Sequence, residues 1–353
     1  MRKQSVGFLK ELLRAPSPSG YEQPAMDVVR DYVADFADEV KTDVHGNVIA
    51  AINPEGSPRV MLAGHCDQIG MIVKWINDDG YIYFASIGGI DAAVLSGLRV
   101  LVHTDSGPIS GVVGRTAIHL LSAEQRGKAS SIDKFWIDIG AKNKKAVEKL
   151  VTIGDAVTFD VPVTDLQQDL IASPGVDDKI GGHICMEALR LLSKDKPSCA
   201  VFAVATVQEE IGMRGATTST YSVNPDIGIA VDVSHTTDYP GSDKKRVGDV
   251  KLGGGPVLDR GANINPALWQ MLRDSAKAAK IPVQLVAAPS GTGTDANAMQ
   301  LSRGGTATAL IGVPNRYMHT PSEVISLKDA EQAAKLIAAT VRSIDEKTDF
   351  IPK

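Results

Sequence analysis

Cysteine is scarce in this chain. The three thiols, Cys66, Cys185 and Cys199, are odd in number, and two of them stand in strongly apolar runs. That argues against a disulfide framework and for reduced thiols, hence for a cytoplasmic protein. Long apolar segments are missing as well. No run approaches the ~20 residues that span a bilayer. The opening MRKQSVGFLKELLRAPSPSG interleaves its apolar residues with Lys and Arg, so it forms no secretory h-region. Blocks of Lys and Arg are absent and the net charge is -5, which removes the electrostatic footprint of a nucleic-acid or anionic-membrane binder. Neither is expected as a partner. His-Glu-x-x-His does not occur, so the single-zinc site of the thermolysin type is excluded.

What is present is ordinary soluble-protein composition, 43% apolar and 22% charged over 353 residues, enough for one large domain and a smaller one. The segments CAVFAVATV, DIGIAVDV, PVQLVAAP and TATALIGVP are near-continuous apolar runs, as in strands buried on both faces. Helical stretches surround them: YEQPAMDVVRDYVADFADEV, DDKIGGHICMEALRLL, NPALWQMLRDSAKAAK, DANAMQLSRG and a last helix opened by the capping-box pattern Ser326-Leu-Lys-Asp329. This alternation predicts an α/β sheet with helices on both faces. Between residues 70 and 164 the pattern changes to short strands punctuated by DDG and DSG turn signals, with KKAVEKLV the one helical stretch. The organisation expected is a discontinuous catalytic domain, residues 1–69 and 165–353, interrupted by a β-rich insert, residues 70–164.

Chemistry-bearing side chains gather at strand ends. His65 and Asp67 form H-x-D after RVMLAG, where alternation on a strand points both at one site. Asp177 and Asp178 lie in a turn opening a helix, Glu209 and Glu210 close CAVFAVATVQEE, Asp232 closes DIGIAVDV, and His319 follows TATALIGVP. Ligands of open α/β sheets bind outside the carboxyl ends of strands, so one pocket can collect these clusters. Imidazole and carboxylate are the ligands of zinc and related divalent ions, and a hydrolytic pair of ions needs about five or six of them, one shared. Where two carboxylates are adjacent, one can bind metal while its neighbour handles a proton.

In GHCDQIG, VDDKIGG, VQEEIGMRGA, AVDVSHTTDYPG and MHTPSEVISLKDAE the chain resembles the dinuclear-metal glutamyl and tetrahedral aminopeptidases, a family with some members labelled endoglucanases. The resemblance runs in order along nearly the whole chain and is looser in the insert. It implies a zinc-peptidase-like α/β fold, a mixed sheet flanked by helices, with an inserted PDZ-like or β-barrel dimerisation domain. It also implies a homo-oligomer of dimers assembling into a tetrahedral dodecamer, acting on short peptides. Two divalent ions, zinc or cobalt, would be held by His65, Asp177, Glu210, Asp232 and His319, with Asp177 bridging and Asp178 following it across a cis peptide. The division of Glu210 and His319 between the two ions is left open. Glu209 would be the general base and Asp67 would sit behind His65, fixing its tautomer.

The chain departs from the family at Cys66 and Gln68, where H-M-D-E-I-G is usual. Cys66, between His65 and Asp67, should face away from the site, and Gln68 removes a charge near it. Gly291-Thr-Gly293-Thr-Asp-Ala296 fits a loose dinucleotide fingerprint but reads better as a tight strand-to-helix turn. Two S-x-x-K matches, at Ser131 and Ser193, lack the partner motifs of a serine acylase. Of the remaining histidines, His45, His103, His119 and His183 read as structural or surface residues, and His235 as a pocket-lining one. The activity expected is removal of N-terminal residues from peptides by metal-activated water. A dinuclear carboxypeptidase or deacylase, a glycoside hydrolase and a non-catalytic scaffold are the rivals.

Overall fold

The computed structural model describes residues 1–126 and 131–352. Four strands form the centre of an eleven-stranded mixed sheet, in the order Ala200–Thr206, Arg59–His65, Ile227–His235 and Ala307–Arg316, all mutually parallel. Because they run one way, their carboxyl ends emerge along one edge, which is what places the site. Antiparallel strands extend the sheet on both sides: Val48–Ile52 and Glu39–Thr42 on one, Glu323–Ser326, Leu170–Ser173 and Thr164–Asp165 on the other. The apolar runs are buried as their composition requires, with Leu62, Val204, Ile229 and Ile311 all fully enclosed. Each such side chain contributes about 1.5–3 kcal/mol by leaving water.

Three helix expectations change. YEQPAMDVVRDYVADFADEV is helical only over Gln23–Val33, and its tail becomes the edge strand Glu39–Thr42, whose β-branched residues pair with Val48–Ile52. DANAMQLSRG supplies only the short helix Asp295–Met299. At Ser326 the hydroxyl caps the amide of Lys328, but the reciprocal half of the capping box is absent. Asp329 instead accepts the amides of Gly253 at 2.7 Å and Gly255 at 2.8 Å. PVQLVAAP is a side branch rather than a buried strand: Gln284–Ala288 pairs with Val257–Gly261 alone, and Leu285 is 55% exposed.

The helix Val176–Ser193 crosses the face of the central strands, and Gly64, Gly181 and Gly182 let the backbones meet. A Cβ on Gly64 would lie 2.3 Å from the carbonyl carbon of Gly181. Within the segment from Gly70 to Phe159 six strands close an antiparallel barrel around Met71, Val73, Ile82, Leu95, Val102, Phe135 and Ile137, a second core separate from that of the sheet. Its outer surface keeps Trp75, Ile118 and Leu120 exposed. The three cysteines are unpaired and buried. Among the described residues no helix is long and apolar enough to cross a membrane.

Candidate metal centre

His65 is the last residue of its strand, paired in register with Thr206. The Ile227–His235 strand pairs Ala230 with Ala63, so two steps on Asp232 stands level with His65. Asp232 therefore lies inside its strand, which continues to His235, instead of closing it. Past Thr206 the chain turns through Gln208 at a positive φ of 56°, and past Arg316 through Tyr317 and His319 at 64° and 61°. These turns fold Glu209, Glu210 and His319 back over the strand ends. Asp177 arrives from the opening of the Val176–Ser193 helix across a cis peptide to Asp178.

These side chains line one cavity of about 560 Å³, together with His235 and the 286–294 segment. Two groups form in it. His65, Asp177 and Asp232 make one, Asp177, Glu210 and His319 the other, with the candidate donor atoms of each group within 4.8 Å of one another. His65 Nε2 lies 3.2 Å from Asp177 Oδ1 and 3.8 Å from Glu209 Oε2, and His319 Nε2 lies 3.3 Å from Asp177 Oδ2 and 3.7 Å from Glu210 Oε2. Both imidazoles are oriented from behind. His65 Nδ1 is 3.1 Å from the carbonyl oxygen of Asp67, and His319 Nδ1 is 2.8 Å from that of Gly89. A carbonyl only accepts, so each Nδ1 carries a proton and each Nε2 is the ring nitrogen turned to the cavity, where it donates to Asp177 and would offer a lone pair to a metal ion on giving up that proton.

The charge balance fits divalent cations. Burial, then repulsion from Asp177, pushes Glu210 up to about 8. Burial pushes Glu209 up to about 7, against His65 and with Asp295, Asp67 and Asp177 adding to the rise, and it raises Asp232 well above the carboxylate range. Burial opposes ionisation of Asp177 too, yet hydrogen bonds with His319 and His65 hold it below its ordinary value. For His65, burial opposes the charged form, but the hydrogen bonds to Asp177 and Asp67 outweigh it and raise the imidazole. At His319 the bond to Asp177 leads, lifting it to about 9. Glu210 Oε1 is buried without a hydrogen-bond partner. Carboxylates crowded this closely, one with an orphaned oxygen, are the donor set that bound cations relieve.

Asp67 does not reach the cavity, contrary to the pleat argument, because the strand ends at His65. It is fully buried and accepts the amides of Glu209 at 2.9 Å and Glu210 at 3.1 Å and the hydroxyl of Ser19 at 2.7 Å. Asp178 turns away and accepts the amides of His65 and Gly181. Cys66 joins neither group; burial pushes its thiol up to about 12. The amide oxygen of Gln68 accepts from Lys179 Nζ, which also donates to the carbonyl of Ala15 at 2.6 Å, and burial lowers that lysine to about 7.

Two contributors escaped the sequence reading. Glu323 spans the site's base, accepting the amides of Asp177 at 3.0 Å and His319 at 2.9 Å. Its nearness to His319 in MHTPSE was the available signal. The segment that carries the barrel also reaches the site, since the Gly89 carbonyl accepts from His319 and a Cβ on Gly88 would lie 2.9 Å from Glu210 Oε2. Residues 291–294 line the cavity, but the helix they open, Asp295–Met299, has only five residues, too short for a dinucleotide fingerprint.

A mixed α/β sheet with two imidazoles and several carboxylates converging beyond its parallel strands defines a metallohydrolase architecture. The chain belongs to the M42 glutamyl aminopeptidase family, which it matches over residues 46–336. It is 38% identical to the lysyl aminopeptidase of Pyrococcus furiosus over 348 residues, covering 98% of this chain and 99% of the relative. A TET aminopeptidase from a marine sediment Thaumarchaeota archaeon superimposes with a TM-score of 0.93 at 33% identity, covering 98% of both chains. A TET peptidase of Pyrococcus horikoshii, described as assembling into a tetrahedron or a large octahedral shell, gives 0.86 at 31% identity, covering 96% of this chain and all of that one.

Proposed function

We propose that the chain is a dinuclear metal-dependent aminopeptidase in which His65, Asp177 and Asp232 hold one divalent ion and Asp177, Glu210 and His319 hold the other. The observation that carries this reading is the pair of ligand groups sharing Asp177. Zinc suits the imidazole and carboxylate donors, and cobalt would serve as well. Such ions, when bound, polarise a scissile carbonyl and lower the pKa of water.

The chain's own residues supply the rest. Glu209 lines the cavity and belongs to neither ligand group, so its carboxylate is free to take the proton of the attacking water and return it to the leaving amine. Asp67 holds the amides of Glu209 and Glu210 and stands behind His65, so it is a positioning residue for base and ligands together. Glu323 does the same for Asp177 and His319.

Peptides with a free N-terminus should be hydrolysed and their N-acetylated forms should not, with activity lost to a chelator and restored by zinc or cobalt. Cleavage of acetylated substrates would favour the deacylase or carboxypeptidase reading, and activity indifferent to chelation would remove the metal.

The barrel, with Trp75, Tyr81, Ile118 and Leu120 on its surface, is proposed to carry association into a dimer-based dodecamer. Light scattering should give a particle far larger than a dimer. A fully active monomer would contradict it.

A further inference from the structure

Besides Glu209, one further carboxylate in the cavity belongs to neither ligand group. Asp259 lies on the Val257–Gly261 strand, is 8% exposed, and lines the cavity on the side away from the sheet centre. Its register partner on the neighbouring strand is Val286, and Leu310 lies one step beyond the pairing of Leu258 with Ile311 on the other side. These two apolar neighbours line the cavity with Asp259, as do Val247 and Ala288. Its Oδ2 is buried without a hydrogen-bond partner, and among the described residues no lysine, arginine or histidine pairs with it. Burial alone raises its carboxyl to about 6, so it remains mostly ionised near neutral pH.

A buried, unpaired carboxylate is costly unless something arrives to pair with it. No hydroxyl or amide donates to Oδ2, while Val247, Val286 and Leu310, which line the same cavity, offer contact to methylene groups. A long side chain with an apolar stem and a cationic head matches this arrangement.

We propose that this arm of the cavity receives the side chain of the substrate's N-terminal residue, and that Asp259 selects lysine or arginine there. The proposal rests on the aminopeptidase reading above and names its substrate class. A glutamate side chain would meet like charge, and a leucine would cover the carboxylate while leaving it without a partner.

The test uses the metal-loaded enzyme and aminoacyl-coumarin amides of Lys, Arg, Leu and Glu. The unsubstituted protein should favour Lys and Arg over Leu by tenfold or more in kcat/KM. Asp259→Asn should lower Lys and Arg by roughly ten- to a hundredfold and leave Leu within about threefold, since only the cationic head loses its partner. Competition supplies a readout that needs no variant: free lysine should inhibit the unsubstituted enzyme more strongly than norleucine, which has the same methylene stem and no amine. A preference for Leu or Glu, equal inhibition by lysine and norleucine, or a uniform fall across all four substrates overturns the proposal. The uniform fall would assign Asp259 to the α-ammonium group instead. Failure to cleave any of the four amides would instead overturn the aminopeptidase reading itself.

Discussion

Glu209→Gln is expected to retain both metal ions and to lower kcat by about 10²- to 10⁴-fold, the usual contribution of a positioned proton-transfer group. Glutamine keeps the volume and the backbone amide that donates to Asp67 at 2.9 Å, so the turn after Thr206 should hold its shape. Neither ligand group includes Glu209, and its loss should not empty either one. What disappears is the one cavity carboxylate near His65 that no ion would occupy. KM should change far less than kcat, because the proton is moved in the transition state and not on binding. Near-normal turnover in this variant would remove Glu209 from the mechanism and shift attention to His235, which lines the same cavity.

Asp177→Ala should be more damaging to the metal content than any other single change. Asp177 is the residue common to both groups, and its two oxygens face different imidazoles, Oδ1 towards His65 and Oδ2 towards His319. Removing it strips each group to two donors, so both ions should be lost on dialysis, with activity falling to background. Asp232→Ala should lose one ion only. Elemental analysis of the dialysed proteins, with circular dichroism to establish folding, separates the cases. Full occupancy in the Asp177 variant would show that another group bridges.

Much of this site was legible because parallel sheets put their carboxyl ends on one edge, and RVMLAGH, CAVFAVATV, DIGIAVDV and TATALIGVP announce such strands by composition. Apolar runs of that kind do not reveal length or neighbours. Hence the sequence marks Asp232 as a strand terminus, though the strand runs on to His235 beside Ala307–Arg316. Local pattern also misread Asp329, whose place three residues after Ser326 suggested a capping box. Tertiary structure won there: the Gly253 and Gly255 amides come from a loop some seventy positions away and bind the carboxylate instead.

Asp259 illustrates a deeper limit. In GPVLDRG it looks like an ordinary strand-end polar residue, and a sequence cannot show that a partner is missing. Gly89 was invisible for a related reason, because its contribution to His319 is a backbone carbonyl, which every residue type carries. The two histidine orientations, fixed by main-chain oxygens, could not have been read from side-chain identities at all.

The central claim is that two ions share Asp177, and anomalous scattering from crystals of the unsubstituted protein soaked in zinc tests it directly. Two peaks are predicted, one within bonding distance of His65, Asp177 and Asp232 and the other of Asp177, Glu210 and His319. A single peak, or a pair in which Asp177 contacts only one ion, would contradict the dinuclear assignment.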